Sequence, residues 1–113
     1  MSTLSSHVLD TATGRPASEL LAILSVQTET GWRELSRIPT NEDGRIGWQH
    51  PDESGFGPAT YQLRFDTAAY FKRTGVDGFY PYVDVVFTIT ASDEHYHVPL
   101  LISPFGYSTY RGS

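Results

Sequence analysis

His95-Tyr96-His97-Val98-Pro99-Leu100-Leu101-Ile102 alternates in the two-residue rhythm of a β-strand. Tyr96, Val98, Leu100 and Ile102 make an unbroken apolar face, suited to a core. His95, His97, Pro99 and Leu101 make the other face. Both imidazoles therefore point away from the core, roughly 6 to 7 Å apart at the strand repeat. Ser103-Pro104-Phe105-Gly106 breaks the strand, and Tyr107-Ser108-Thr109 can form a last one. Proline has no N–H for a ladder, so Pro99 predicts an edge strand, or one whose free side meets another subunit. Tyr110-Arg111-Gly112-Ser113 ends the sequence. A tail this short normally frays, but beside two histidines it can belong to a site.

The same rhythm runs upstream. Val83, Val85, Phe87 and Ile89 alternate with Asp84, Val86, Thr88 and Thr90, and Ser92-Asp93 turns the chain into the histidine strand. Tyr61, Leu63 and Phe65 alternate with Gln62, Arg64 and Asp66 as a half-buried strand. Between them Asp66-Thr67 caps a short helix, Ala68 to Arg73, with Lys72 and Arg73 in its last turn and Gly75 to end it. Gly78 to Pro81 is loop. Earlier still, Leu4 to Asp10 reads as a strand with His7 and Leu9 on one face and Ser6 and Val8 on the other. Asp10 to Pro16 is rich in turn formers. Residues 20–28 are apolar on both faces at first. A helix fits them, but Glu29-Thr30-Gly31 suits a hairpin into Trp32 to Ile38, with Trp32, Glu34, Ser36 and Ile38 on one face. Pro39 to Gly44 is a turn, Arg45 to Trp48 a short strand and 49–58 a loop. Seven or eight strands, short turns and one brief helix predict an all-β antiparallel sandwich.

The chain has 113 residues, the size of a single domain over 1–113. One modest core fits, with little room for a deep private cleft, so an active site is expected to be shared between subunits. The net charge of −5 and pI near 5.2 leave no basic patch for nucleic acid. With no cysteine, a disulfide framework, a thiolate metal site and a thiol nucleophile are excluded. The N-terminus lacks the features of a secretory signal, and no apolar run reaches membrane-spanning length, so the expected setting is cytoplasmic.

Histidine carries the candidate chemistry. His50 sits in a Gln-His-Pro-Asp loop and reads as plain surface. His95 and His97 admit three readings: exposed strand residues, a zinc pair needing His7 or a carboxylate as third ligand, or general acid/base groups that titrate near neutrality. No Asp or Glu follows Glu94. His7 alone reads as a surface or interface residue, and Arg45 and Arg111 as solvated charges. Ser113 has no nucleophile-elbow signal, and Asp43-Gly44-Arg45 lacks the alternating oxygens of a calcium loop.

Five motifs together resemble the transthyretin-like family over nearly the whole chain, and within it the 5-hydroxyisourate hydrolases. They are Leu4-Ser5-Ser6-His7-Val8-Leu9-Asp10, Gly14-Arg15-Pro16-Ala17, Asp43-Gly44-Arg45, His95-Tyr96-His97-Val98-Pro99-Leu100-Leu101 and Tyr110-Arg111-Gly112-Ser113. The resemblance implies a transthyretin-like sandwich of seven to eight strands, assembled as a homotetramer with sites in the channel between dimers. It implies hydrolysis of 5-hydroxyisourate to the ureido-imidazoline carboxylate (5-hydroxy-2-oxo-4-ureido-2,5-dihydro-1H-imidazole-5-carboxylate) in urate degradation toward allantoin. No cofactor or metal is implied. His7, Arg45 and His97 match the catalytic positions. His7, Arg45, Tyr110, Arg111, Gly112 and Ser113 match the substrate-binding ones, Ser113 through its hydroxyl or terminal carboxylate. His95 is expected to support the site or an interface. The competing readings are a non-catalytic transthyretin-like binding protein for a small aromatic ligand, a β-sandwich interaction domain and a zinc hydrolase.

Overall fold

Two packed sheets make up the computed structural model, which describes residues 2–52, 55–91 and 93–113. The elements run β1 (Thr3–Asp10), β2 (Arg15–Pro16), β3 (Leu21–Thr28), β4 (Gly31–Pro39), β5 (Arg45–Trp48), β6 (Ala59–Phe65), α1 (Thr67–Arg73), β7 (Val83–Ile89), β8 (His95–Ser103) and β9 (Gly106–Thr109). The turn expected at Ser92-Asp93 and the middle of the 49–58 loop rest partly on Ser92, Glu53 and Ser54, which lie outside the described residues.

One sheet has the order β2-β1-β8-β9, with β5 also paired to β1; the other is β4-β3-β6-β7. The sandwich is the expected one, and its strands follow the expected parity. Leu4, Val8, Leu100 and Ile102 from the first sheet meet Leu24, Leu63, Phe65 and Ile89 from the second, all at most 2% exposed. Burying each such side chain contributes about 1.5–3 kcal/mol. Ser6, also inward, is satisfied by the Trp48 indole, whose Nε1–H donates to Ser6 Oγ at 3.1 Å.

Three details depart from the sequence reading, and the expected hairpin at 20–28 is formed. The pair β1–β8 is parallel, from Thr3↔His95 to Asp10↔Ile102, within otherwise antiparallel sheets. Pro99 is not at an edge, because β8 lies between β1 and β9. It is tolerated because the β9 ladder ends beside it. Thr109 pairs with Leu100, and beyond that the Pro99 carbonyl accepts from the Thr109 hydroxyl at 2.7 Å. The segment 20–28 takes the hairpin and not the helix. A bulge against Leu24/Ser25 then splits the face drawn for Trp32, Glu34, Ser36 and Ile38. Ser36 and Ile38 face the core-side Leu24 and Ala22, while Trp32 and Glu34 face Gln27 and Ser25. Leu35, the extra residue, packs on the core.

Helix α1 begins as expected, with the Asp66 carboxylate accepting from Ala69 N. Its inward residue Tyr70 donates to Asp10 Oδ2 at 2.9 Å, while Asp10 Oδ1 accepts from the backbone of Ala12 and Thr13. One buried carboxylate thus closes the turn after β1 and anchors the helix. Burial, then the bond to Asp10, pushes the Tyr70 hydroxyl up to about 12. The folded state holds that proton longer than the unfolded chain does. Its contribution is therefore complete below pH ~10 and is lost as pH rises toward the folded value. Tyr70→Phe should cost about 1–3 kcal/mol at neutral pH by stripping Asp10 of a partner. Urea titrations at pH 8 and pH 11 should also show a smaller alkaline loss in the variant than in the parent chain.

Candidate active site

The outer face of the first sheet is built by register. Parallel pairing sets Ser5 beside His97 and His7 beside Pro99, and antiparallel pairing sets Arg45 beside His7 and Gly47 beside Ser5. Arg45, His7 and Pro99 form one row; Gly47, Ser5 and His97 form the next. Cross-strand neighbours in such rows stand about 5 Å apart, so His7, Arg45 and His97 converge on one patch.

Local chemistry delivers Arg45 to that patch. Asn41 Oδ1 accepts from the backbone of Asp43 and Arg45 at 2.9 and 3.0 Å, closing the turn before β5. Gly44 adopts φ +73° and its carbonyl accepts from Val8 N at 2.7 Å. A Cβ at Gly44 would collide with the Val8 carbonyl, so the close docking of this turn on β1 needs glycine.

His97 is half-buried, with Nδ1 at 2.7 Å from Ser5 Oγ. Its ring lies nearly parallel to that of His95, 6.4 Å between centroids, as the strand repeat predicts. Burial first, then the charge of Arg45 and the neighbouring His95 and His7, lowers its proton affinity below the ordinary histidine range. The imidazole is thereby kept neutral near pH 7 and free to accept a proton. Among the described residues no carboxylate pairs with the Arg45 guanidinium. A chain of net charge −5 thus gathers an unpaired guanidinium and three imidazoles on one face. Such a patch suits an anion or a developing oxyanion. The zinc reading needs a third donor, and no cluster of three or more His, Cys, Asp or Glu fit to hold a metal occurs among the described residues.

The tail divides. Gly112 forms a bridge to His97, its N–H donating to the His97 carbonyl at 2.8 Å. A Cβ there would lie 2.5 Å from His97 Cδ2, so the glycine is what lets the tail lie flat against the imidazole. Tyr110 and Ser113 are exposed beside it. Arg111 is not brought to the patch. Its guanidinium bonds Glu94 at 3.3 Å and stacks 4.6 Å over the ring of Tyr96, a core-side residue. There it lines a cavity of about 220 Å³ with Val85, Phe87 and Tyr96, and His97 and Tyr110 line the same cavity. His50, expected as plain surface, packs edge-on against Phe56 at 5.2 Å with its side chain only 10% exposed. The sequence reading missed Ser5, although its parity with His7 already placed it on this face.

The HIUase/Transthyretin family model matches residues 4–112. The chain belongs to this family. The mouse 5-hydroxyisourate hydrolase is 51% identical over 116 residues, covering 99% of this chain and 96% of that protein. Among solved structures, the Klebsiella pneumoniae 5-hydroxyisourate hydrolase superposes with a TM-score of 0.85 at 38% identity, each chain covered in full. Transthyretin from Sparus aurata superposes with 0.88 at 32% identity, covering 96% of this chain and 95% of that one. A hydrolase and a transthyretin thus share this fold, so the sandwich alone does not tell them apart.

Gly112→Ala tests the tail's place in the site. It should shift the His97 ring resonances and reduce turnover on the order of tenfold, through displaced geometry. Thermal unfolding should change little, since the bridge lies at the rim of the sheet.

Proposed function

We propose that this chain hydrolyses 5-hydroxyisourate in urate degradation, using water activated by histidine and no metal. The observation that carries the reading is Arg45 beside His7, with His97 on the next strand and no carboxylate paired to the guanidinium among the described residues. The family and its hydrolase relatives support the same conclusion.

In this reading Arg45 holds the urate-like ring and the negative charge that grows on the attacked carbonyl oxygen. Neutral His97 takes a proton from water as its oxygen bonds to the ring carbonyl carbon. The carbon–nitrogen bond breaks, His7 supplies the leaving nitrogen with a proton, and the ureido-imidazoline carboxylate is formed. Tyr110, Gly112 and Ser113 border the substrate beside His97. Arg111, held at the sheet edge by Glu94, is a rim group.

The site is open on its outer side, and β7 and β9 end their sheets with one free edge each. We infer that four copies assemble so that two such faces close over the substrate. An intracellular, cytoplasmic setting fits a urate-derived substrate. No helix among the described residues is long and apolar enough to cross a membrane.

The test is an ultraviolet time course. Urate and urate oxidase generate 5-hydroxyisourate in the cuvette, and its decay is compared with and without the protein. A strong acceleration is expected, with His7→Asn, Arg45→Ala and His97→Asn each losing well over tenfold while still folded. Because His97 must be neutral, the rate should fall on acidification, with a limb below the usual histidine value of about 6.5. Decay unchanged by folded protein would favour the ligand-carrier reading instead. Light scattering should give the mass of four chains; a fully active monomer would remove the shared site.

A further inference from the structure

Ser5 stands between two imidazoles. Its Oγ lies 2.7 Å from His97 Nδ1 and 2.9 Å from His95 Nε2, and the far nitrogen of His95, Nδ1, lies 2.5 Å from Thr3 Oγ1. The register explains the alignment: Thr3 is beside His95 and Ser5 beside His97, all on the outer face. The result is one continuous hydrogen-bonded line from the exposed His95 to the half-buried His97.

A hydroxyl has one proton, so Ser5 donates to one ring and accepts from the other. Two polarities of the whole line follow. In the first, His97 Nδ1–H donates to Ser5, Ser5 donates to His95 Nε2, and His95 Nδ1–H donates to Thr3. His97 Nε2 is then bare and basic. In the second, Thr3 donates to His95, His95 Nε2–H to Ser5, Ser5 to His97 Nδ1, and His97 Nε2 carries a proton.

We propose that Ser5 and His95 are positioning residues that hold His97 in its basic tautomer and accept its Nδ1 proton as Nε2 takes one from water. The proposal rests on the hydrolytic reading above. Its proton balance closes: one proton enters at His97 Nε2 from the attacking water, one moves along each link, and one leaves to solvent from the Thr3 hydroxyl. Both imidazoles stay neutral throughout. That matters because His97 is faced by Arg45 from β5, His7 from β1 and His95 on its own strand. The tail adds the Arg111–Glu94 pair at the sheet edge. A full imidazolium beside Arg45 is costly, and the line lets His97 act as a base without becoming one. It also gives His95 work that an exposed strand histidine would not have.

The experiment compares Ser5→Ala, Ser5→Thr, His95→Phe and the double variant Ser5→Ala/His95→Phe with the parent chain. All are first checked for folding by thermal unfolding. Ser5→Ala should lower kcat on the order of tenfold with KM little changed, and Ser5→Thr, which keeps the hydroxyl, should restore most of it. His95→Phe should cost several-fold alone but nothing further in the Ser5→Ala background, because the line is already cut. Parent-like kcat in Ser5→Ala, no rescue by Ser5→Thr, or multiplicative losses in the double variant would overturn the proposal. The ¹⁵N imidazole shifts of His97, read on the free protein, separate it from the hydrolytic reading. If the parent chain fails to hydrolyse 5-hydroxyisourate, that reading falls. A His97 tautomer balance that changes in Ser5→Ala would then still uphold the line, and an unchanged spectrum would remove it.

Discussion

The parallel pairing of β1 with β8 is the constraint on which the rest depends. It joins the first strand of the chain to one near its end, Thr3 to His95 through Asp10 to Ile102. Closing so long a loop is entropically costly and kinetically slow, and the buried apolar faces of both strands must offset it. Those same faces fix the register. A one-residue slip would carry Leu4 and Val8 out of the core and His7 into it. The contacts that stabilise the fold are thus the ones that set His97 beside Ser5 and within reach of His7. Site geometry is inherited from core packing, and a chain that folds at all in this register has its imidazoles in place.

Charge is arranged against the trend of the chain. The protein is acidic, yet Arg45 and the histidines share one sheet face, with no carboxylate paired to the guanidinium among the described residues. Other arginines are neutralised locally: Arg37 by Glu34, Arg64 by Asp84, Arg111 by Glu94. Pairing Arg45 would stabilise the resting protein only slightly, since exposed ion pairs contribute about 0–1 kcal/mol, and would occupy the donors an anion needs. The cost of leaving it bare is also eased by its neighbours. Burial first, then the charge of Arg45, favours the neutral form of His97, so this imidazole adds no second full charge beside the guanidinium at neutral pH.

Much of this was legible in the sequence because strand parity is a local signal. The outward turn of His7, His95 and His97, the inward turn of Tyr96 to Ile102 and the cap at Asp66 follow from neighbours a few residues apart. What escaped depends on contacts distant in sequence. Nothing local tells that β1 and β8 run parallel. Pro99 reads as an edge residue by its missing N–H, and only the early end of β9 explains an interior one. The bulge at Leu35 has no glycine to mark it, so the face drawn through Trp32 and Ile38 was split without warning. Arg111 belongs to a family motif, yet the pull of Glu94 and the Tyr96 ring, not the motif, decides where its guanidinium lies. Ser5 looked like an ordinary polar strand residue until the register put two ring nitrogens on its hydroxyl.

A sandwich of this size leaves little interior for a ligand beyond the cavity of about 220 Å³ beside Arg111, because the inner faces are largely consumed in packing each other. Function must therefore be written on an outer face, where side chains alternate with the core residues that hold them. This separates the two roles of each strand. In β8, Tyr96, Val98, Leu100 and Ile102 answer to stability, while His95 and His97 are free to change chemistry without disturbing the fold. Hydrolase and transthyretin structures both superpose closely on this chain, as expected if the inner positions are kept for packing and the outer ones are where activity is set. The price is openness: a flat face excludes water poorly and strengthens no electrostatic interaction by itself. A second copy laid over that face would supply the missing low-dielectric wall, which makes assembly part of the chemistry in the proposed tetramer.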